Sequence, residues 1–424
     1  MSKINIHYFV EFEEYPFLNL KFSLDESLFQ KGLCVRNKDN LLFKFVGITF
    51  TKNIVIVVFP KGYELSSNQF ILRQHIRLLI DVFLRYEAEK KVHEEESKLL
   101  TGRYGSAKNI QSMIWMIEDY IENGIFIQRE NLYNINGSQR INWSKTIKTQ
   151  NPIIINNSPF YLDLVTKKNS INLQNSITLI HQYVIQESLK QLGWLFEYEE
   201  VEDMYEAPFD NEQSIYILDL AIQQTFSDRE MLLFNYLKSF ILGSNDNSEN
   251  SMYLFATQYF HWIWEHICLS LFSNNEEEVL SPPNPYWMVK GKKSLTSQIP
   301  DVMFRKEKTI YILDAKYYQV DNAPQKLPGW KDLVKQMFYR HTLLQQKEYS
   351  DHEIVNIFLF PKDHENMISY LGYAGVEEQT DLGEIKGYIV SVTKTMELYV
   401  WKRNGSLQRD LMRKYQRDEQ VGDI

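Results

Sequence analysis

Two apolar, strand-like segments that carry ionisable residues in their interiors restrict this chain more than any other feature. From Gln298 to Tyr318 it reads QIPDVMFRKEKTIYILDAKYY. Ile299 to Phe304 runs out, Arg305 to Lys308 turns, and Thr309 to Lys316 returns, the pattern of a β-hairpin with a four-residue loop. Because side chains alternate along a strand, Ile310, Ile312, Asp314 and Lys316 share one face, and Tyr311, Leu313, Ala315 and Tyr317 share the other. If Phe304 pairs with Thr309, Asp301 stands opposite Ile312 and diagonal to Asp314, within side-chain reach. A slip of one residue in that pairing would turn Asp301 to the other face. Charges placed in such a hydrophobic context cost free energy unless partners or chemistry occupy them.

The rest of the composition narrows the class. A chain of 424 residues, 44% hydrophobic and 14% aromatic, is long enough for two or three packed domains. Its formal net charge of -9 excludes a uniformly basic coat for nucleic acid but leaves room for a local basic groove. Positive charge concentrates at Lys290, Lys292 and Lys293, and again at Lys402, Arg403, Arg409, Arg413, Lys414 and Arg417. Taken alone, such runs are ordinary solvated surface. The only cysteines, Cys34 and Cys268, form neither a disulfide framework nor a zinc pattern, and a reducing cytoplasm is the expected location. No signal-peptide core or membrane-length apolar run is present, so no membrane association is expected.

Taken in order, the chain suggests an α+β multidomain protein. Residues 1–100 form a strand-rich N-terminal domain followed by a helix from about Asn68, suited to DNA reading or partner docking. Residues 101–250 form a mixed, largely helical middle region, with short strands near Ile125 to Ile127 and Arg140 to Ile147, and GSNDNSEN at Gly243 to Asn250 reads as a linker. Residues 251–424 give a helix from Met252 to Phe272, a strand near Trp287, the hairpin, a helix from Trp330 to Leu344 and a strand, IVNIFLF, in the order αβββαβ. GYIVSV and ELYVW suggest a final hairpin. Neither Gly102 to Gly105 nor GKKS at Gly291 to Ser294 has P-loop spacing.

Paired carboxylates suit a hard divalent cation, because Mg²⁺ takes one or two protein carboxylates together with water and phosphate oxygens. Asp301 and Asp314 would be metal ligands, and Lys316 would orient or help deprotonate the attacking water and add positive charge where negative charge builds. Glu265 sits in FHWIWEHICLSLF, a helix apolar almost all round, and is expected as a further catalytic acid and ligand, although a salt-bridged helix glutamate would read the same way. Lys335, Gln336 and Tyr339 flank a helix whose apolar stripe is Trp330, Leu333, Val334, Met337 and Phe338, and would face substrate phosphate. A second IYILD string, Ile215 to Asp219, lacks both a following lysine and a preceding Pro-Asp and reads as structural.

Pro300-Asp301, twelve residues, then Asp314-Ala315-Lys316 resembles the PD-(D/E)xK nuclease signature, and αβββαβ with an acid on the first helix resembles that superfamily's restriction-endonuclease-like core. DAKYY followed by PGWKDLVKQMFYRH, with INWSKTI in the middle region, is similar to the LlaJI-type and McrC-related restriction endonucleases. The resemblance implies Mg²⁺-dependent cleavage of double-stranded DNA, with Mn²⁺ able to substitute, in restriction or anti-phage defence. It also implies partners: a separately encoded AAA+ NTPase, a DNA methyltransferase of the same system, or both, the first pointing to a motor-driven system and the second to an ordinary restriction system; a homo-oligomer or hetero-complex is expected, since double-strand cutting calls for two active sites. The alternative is a non-catalytic DNA-binding or scaffold subunit of a defence complex, which would grip DNA equally well without metal. A glycoside hydrolase built on the same carboxylates is disfavoured by the neighbouring lysine.

Overall fold

The protein is described by a computed structural model, which covers residues 5–20, 22, 24–50, 54–89, 107–172, 174–198, 204–243, 253–273, 282–296, 299–320 and 327–422. The acidic tail of the first long helix, the glycines at 102 and 105, most of the GSNDNSEN segment and Gln298 lie outside the described residues. The described residues divide into two compact units. One lies within 105–249, and the other joins 4–104 to 250–424.

The second unit begins with β1 (Asn5–Val10), β2 (Val46–Phe50) and β3 (Ile54–Phe59), β1 parallel and β2 antiparallel to β3. The unbroken apolar run Val55 to Phe59 is buried throughout, as a strand covered on both faces requires. A small sheet of Tyr15–Pro16, Asn40–Phe43 and Cys34–Asn37 helps close one core, where Phe9, Leu41, Phe43, Phe45 and Val58 pack. α1 (Gln69–Glu89) buries Leu72, Ile76, Leu79, Ile80 and Phe83, a spacing of three and four that gives a helix one apolar stripe.

The other unit contains α2 (Ala107–Asn123), β4 (Gln128–Ile135), β5 (Val165–Asn172), α3 (Ser176–Leu192), α4 (Asn211–Gln224) and α5 (Asp228–Gly243). β5 pairs antiparallel with β4 and with the short strand Arg140–Ile141. INWSKTI, expected as a strand, is mostly the helix Trp143–Thr149, because the Asn142 side chain accepts the Lys145 N–H at 3.0 Å and caps it. Arg229 clamps the buried Asp119 through two 2.7 Å hydrogen bonds, joining α5 to α2.

The chain then returns to complete the first sheet. β6 (Tyr253–Thr257) pairs antiparallel with β2, and α6 (Phe260–Phe272) comes after it. The expected single helix from Met252 is corrected here. Pairing with β2 takes the first residues into the sheet, and Thr257 Oγ1 then accepts the Tyr259 N–H at 3.0 Å where the helix begins. Gly47 makes the pairing possible: at φ +135, a Cβ there would lie 2.3 Å from the Phe255 carbonyl oxygen. Phe83 of α1 meets the rings of Phe255 and Phe260, so the N-terminal residues share a core with β6 and α6.

A five-stranded sheet forms the rest of this unit. It is built from β7 (Val302–Lys306), β8 (Thr309–Ala315), β9 (Glu353–Pro361), β10 (Ile368–Ala374) and β11 (Ile385–Val390), in the order β7-β8-β9-β11-β10. β8, β9 and β11 run parallel, flanked by antiparallel edges. α7 (Trp330–Leu344) connects β8 to β9, a crossover that a parallel pair needs. The strand near Trp287 lies outside this sheet, since Tyr286–Val289 pairs only with Lys292–Leu295 in an exposed hairpin, so the expected αβββαβ order is corrected to αββαβββ. ELYVW, expected as a strand, belongs to α8 (Val392–Val400), and α9 (Gln408–Gly422) lies beyond it. Asp363 explains the change: its carboxylate accepts the Thr393 N–H at 2.9 Å and caps α8 from outside the local sequence. Among the described residues no helix is long and apolar enough to cross a membrane.

Candidate active site

β7 and β8 bring the two aspartates together through their register. Lys306 pairs with Thr309, so the loop is two residues, Glu307 and Lys308, with Glu307 at φ +53. The expected four-residue loop is thus corrected by a shift of two in the pairing. An even shift leaves every side chain on its face. Val302 pairs with Leu313, and one step further Asp301 arrives directly opposite Asp314 rather than diagonal to it.

The pair is held from several sides. Asp301 Oδ2 accepts the Ala315 N–H at 2.8 Å, which turns its carboxyl toward that of Asp314. Asp314 is 1% exposed. Lys316 Nζ stands 2.7 Å from Asp314 Oδ2 and 2.8 Å from Asp332 Oδ1, while its backbone N–H donates to the Leu359 carbonyl at 2.8 Å. Lys335 Nζ lies 3.7 Å from Asp314 Oδ1.

Burial, the Asp314 charge and the hydrogen bond to Asp314 push the Asp301 carboxyl up to about 7, with Glu265 adding to the rise and the Ala315 N–H opposing it. Burial also pushes Asp314 up, but the Lys316 ammonium beside it, helped by Asp301 and Lys335, brings it below the ordinary carboxylate range. The opposite shifts mean that, below about pH 7, the metal-free pair favours carrying one proton over two negative charges. Lys316 loses solvation, yet Asp314 and Asp332 hold its pKa above the ordinary lysine range, so the side chain is a fixed ammonium.

Glu265 comes from α6, half-buried, and acts on Asp301 and Cys268 through its charge. Cys268 is fully buried with its thiol pushed well up, first by desolvation, which leaves it unreactive. Among the described residues no three His, Cys, Asp or Glu side chains are gathered closely enough to hold a cation by themselves. The set that does converge is two carboxylates, Asp301 and Asp314, a hard-oxygen pair. That donor chemistry fits Mg²⁺, which keeps water and phosphate oxygens in the remainder of its shell.

α7 divides the three residues expected to face substrate. Lys335 reaches the pair, whereas Gln336 and Tyr339 are 0% and 1% exposed. Gln336 accepts hydrogen bonds from Asn356 Nδ2, and Tyr339 packs with Ile310, Ile312 and Leu343. The expected stripe is corrected accordingly: the helix buries Gln336, Met337, Tyr339 and Leu343, and exposes Trp330, Val334 and Phe338.

Two contributors went unread in the sequence. Asp332, in the first turn of α7, looks like a residue placed there for the helix dipole, yet it holds Lys316. Glu11, 2% exposed at the end of β1, accepts the Tyr317 hydroxyl at 2.6 Å, and that hydroxyl accepts the Lys61 N–H at 2.8 Å. Burial pushes Glu11 up to about 7. The N-terminal strands therefore anchor the residue next to Lys316.

Comparison with known proteins places the chain. It is 25% identical over 363 residues to the type II restriction enzyme BsuMI component YdjA of Bacillus subtilis (strain 168), covering 79% of this chain and 76% of that protein. A chain in the structure of Thermococcus gammatolerans McrB AAA+ hexamers with bound McrC is 12% identical, with a TM-score of 0.39 over 96% of this chain and 100% of that one. A chain of the McrBC complex from the same organism is 11% identical, with a TM-score of 0.26 over 62% and 86%. The sequence profile of the LlaJI restriction endonucleases matches residues 45–377, a span that includes Glu265, Asp301, Asp314, Lys316 and Asp332, and this chain belongs to the LlaJI restriction endonuclease family.

Proposed function

We propose that the chain is a Mg²⁺-dependent DNA endonuclease of the PD-(D/E)xK type, cutting double-stranded DNA in restriction or anti-phage defence. The observation that carries this is the Asp301–Asp314 pair, opposed in register, with Asp301 held by the Ala315 N–H and the Lys316 ammonium 2.7 Å from Asp314. Asp301 and Asp314 are the residues that would hold the metal, which when bound lowers the pKa of water and screens negative charge on a phosphodiester. Mn²⁺ fits the same carboxylates.

Each remaining role falls to the chain's own groups. Lys316, fixed as an ammonium, donates hydrogen bonds to the attacking water or a phosphoryl oxygen and places positive charge where the transition state is negative. The Asp314 and Asp332 carboxylates favour that ammonium form in the metal-free protein. Asp332 positions it. Glu265 raises the proton affinity of Asp301 and serves as an auxiliary acid. Lys335 supplies a second cation toward substrate phosphate, and Gln336 and Tyr339 support it from within the core. A separately encoded AAA+ NTPase, a methyltransferase of the same system, or both would complete the system.

The test is cleavage of plasmid DNA, methylated and unmethylated, with Mg²⁺, Mn²⁺ or EDTA, with and without the products of neighbouring genes. Cutting that needs the metal and is lost in Lys316→Ala supports the proposal. DNA held equally well in EDTA and never cut, partners included, would establish the binding-subunit alternative instead.

A further inference from the structure

At the far end of the same hairpin, on the sheet face away from Asp314, lies a cavity of about 690 Å³ lined by Lys306, Lys402, Arg403, Arg409 and Arg413. Three separate elements deliver these cations: the end of β7, the loop between α8 and α9, and the first two turns of α9. Arg409, Arg413 and Gln416 succeed one another at helical spacing and so present one side of α9 to the cavity. No Asp or Glu lines it, although Glu307 and Asp410 are chain neighbours of lining residues. None of the five cations makes an ion pair among the described residues, in contrast to Lys414, which is tied to Asp418 at 2.8 Å and stands outside the lining. Ser406 adds a buried hydroxyl oxygen with no hydrogen-bond partner.

Five cations without an ion pair among the described residues, brought together on a chain of net charge -9, repel one another and favour a compensating anion. We propose that this cavity binds the phosphate backbone of nucleic acid. A compact nucleotide is the poorer match, because the lining offers no aromatic ring for a base and the four cations of the loop and α9 are exposed rather than enclosed. Lys306 is five residues from Asp301, about 17 Å along the strand, so the cavity is a separate anchoring point from the carboxylates. The proposal does not require that the aspartates cut DNA, and its test reads binding alone.

Anisotropy of a labelled 20-base-pair duplex is measured in EDTA across a salt series. For Arg409→Glu/Arg413→Glu, affinity is expected to fall about tenfold or more, and the slope of log K against log salt to shrink by about 1.8, as for two lost phosphate contacts. The milder Arg409→Gln/Arg413→Gln pair should shrink the slope in the same direction, which covers the case in which reversal of charge prevents folding. Lys414→Glu/Arg417→Glu, outside the cavity, should leave the slope near that of the unaltered protein. Unchanged slopes in both arginine pairs, or an equal loss in the control pair, would overturn the proposal. So would thermal stabilisation by inorganic pyrophosphate that depends on Arg409 and Arg413 while duplex affinity does not. Cleavage lost in Asp314→Ala with binding retained would separate this site from the nuclease reading.

Discussion

The same five residues, Ile-Tyr-Ile-Leu-Asp, occur twice and fold in opposite ways. Ile215 to Asp219 lies within the helix α4, while Ile310 to Asp314 lies within the strand β8. Flanking residues decide the first case. Asp210 accepts the Gln213 N–H at 2.8 Å, the start of a capping-box spacing that commits the next residues to a helix. Tertiary pairing decides the second, where β8 is bonded on both edges, to β7 and to β9, and all five residues are buried. The aspartates then diverge. The Asp219 side chain is 43% exposed and pairs with Lys238 at 2.6 Å, whereas that of Asp314 is 2% exposed and faces a second carboxyl. Chemistry resides in the surroundings of the string, and the string alone does not specify it.

That comparison can be broken at its strongest point first. Asp314→Ala should reduce Mg²⁺-dependent cleavage by about a thousandfold or more. Asp219→Ala should leave it within about twofold, since Asp219 belongs to a partly exposed ion pair with Lys238 and contacts neither Asp301 nor Asp314 among the described residues. Equal losses in a plasmid-nicking assay would remove the distinction. Leu218 and Leu313, both fully buried, should each cost about 2–5 kcal/mol when changed to alanine, measured by urea unfolding. Only Leu313→Ala, next to Asp314, should also depress cleavage.

The pH dependence is smaller and has a definite sign. Asp301 rises from its ordinary 3.8 to about 7 in the folded protein, so the fold binds this proton more tightly than the unfolded chain does. Its contribution to stability is fully present below about pH 4 and is lost as pH rises toward 7, in metal-free protein. Asp301→Asn should lack that decline in a series of thermal melts. Smallest of all, Lys238→Ala should change stability by about 0.2–1 kcal/mol, because its partner is exposed to screening solvent.

Periodicity made the hairpin legible in the sequence. Alternation placed Asp314 and Lys316 on one face of β8, and an error of two residues in the loop left Asp301 on that face, because strand parity survives even shifts. Helical spacing gave α7 its bounds but not its orientation. Gln336 and Tyr339 face inward because Asn356 and the Ile310–Ile312 face receive them, and neither partner is adjacent in sequence. Non-local groups account for the other departures. β6 is a strand because β2 is there to pair with it, α8 is capped by Asp363, and Lys316 is held by Asp332. Gly62 shows the same dependence: at φ +78, a Cβ would sit 2.2 Å from the Pro361 carbonyl, so the first strands pack on the end of β9 and share its unit.

Calorimetric titration of the protein with Mn²⁺ at pH 6, in two buffers of different ionisation enthalpy, tests the central claim about Asp301 and Asp314 most directly. Binding should release close to one proton at pH 6 and almost none at pH 8.5, since the cation displaces the proton that Asp301 holds in the metal-free pair. Binding should be lost in Asp314→Ala, and proton release should be lost in Asp301→Asn. Binding that persists in Asp314→Ala, or that releases no proton at pH 6, would rule out a cation held by this pair.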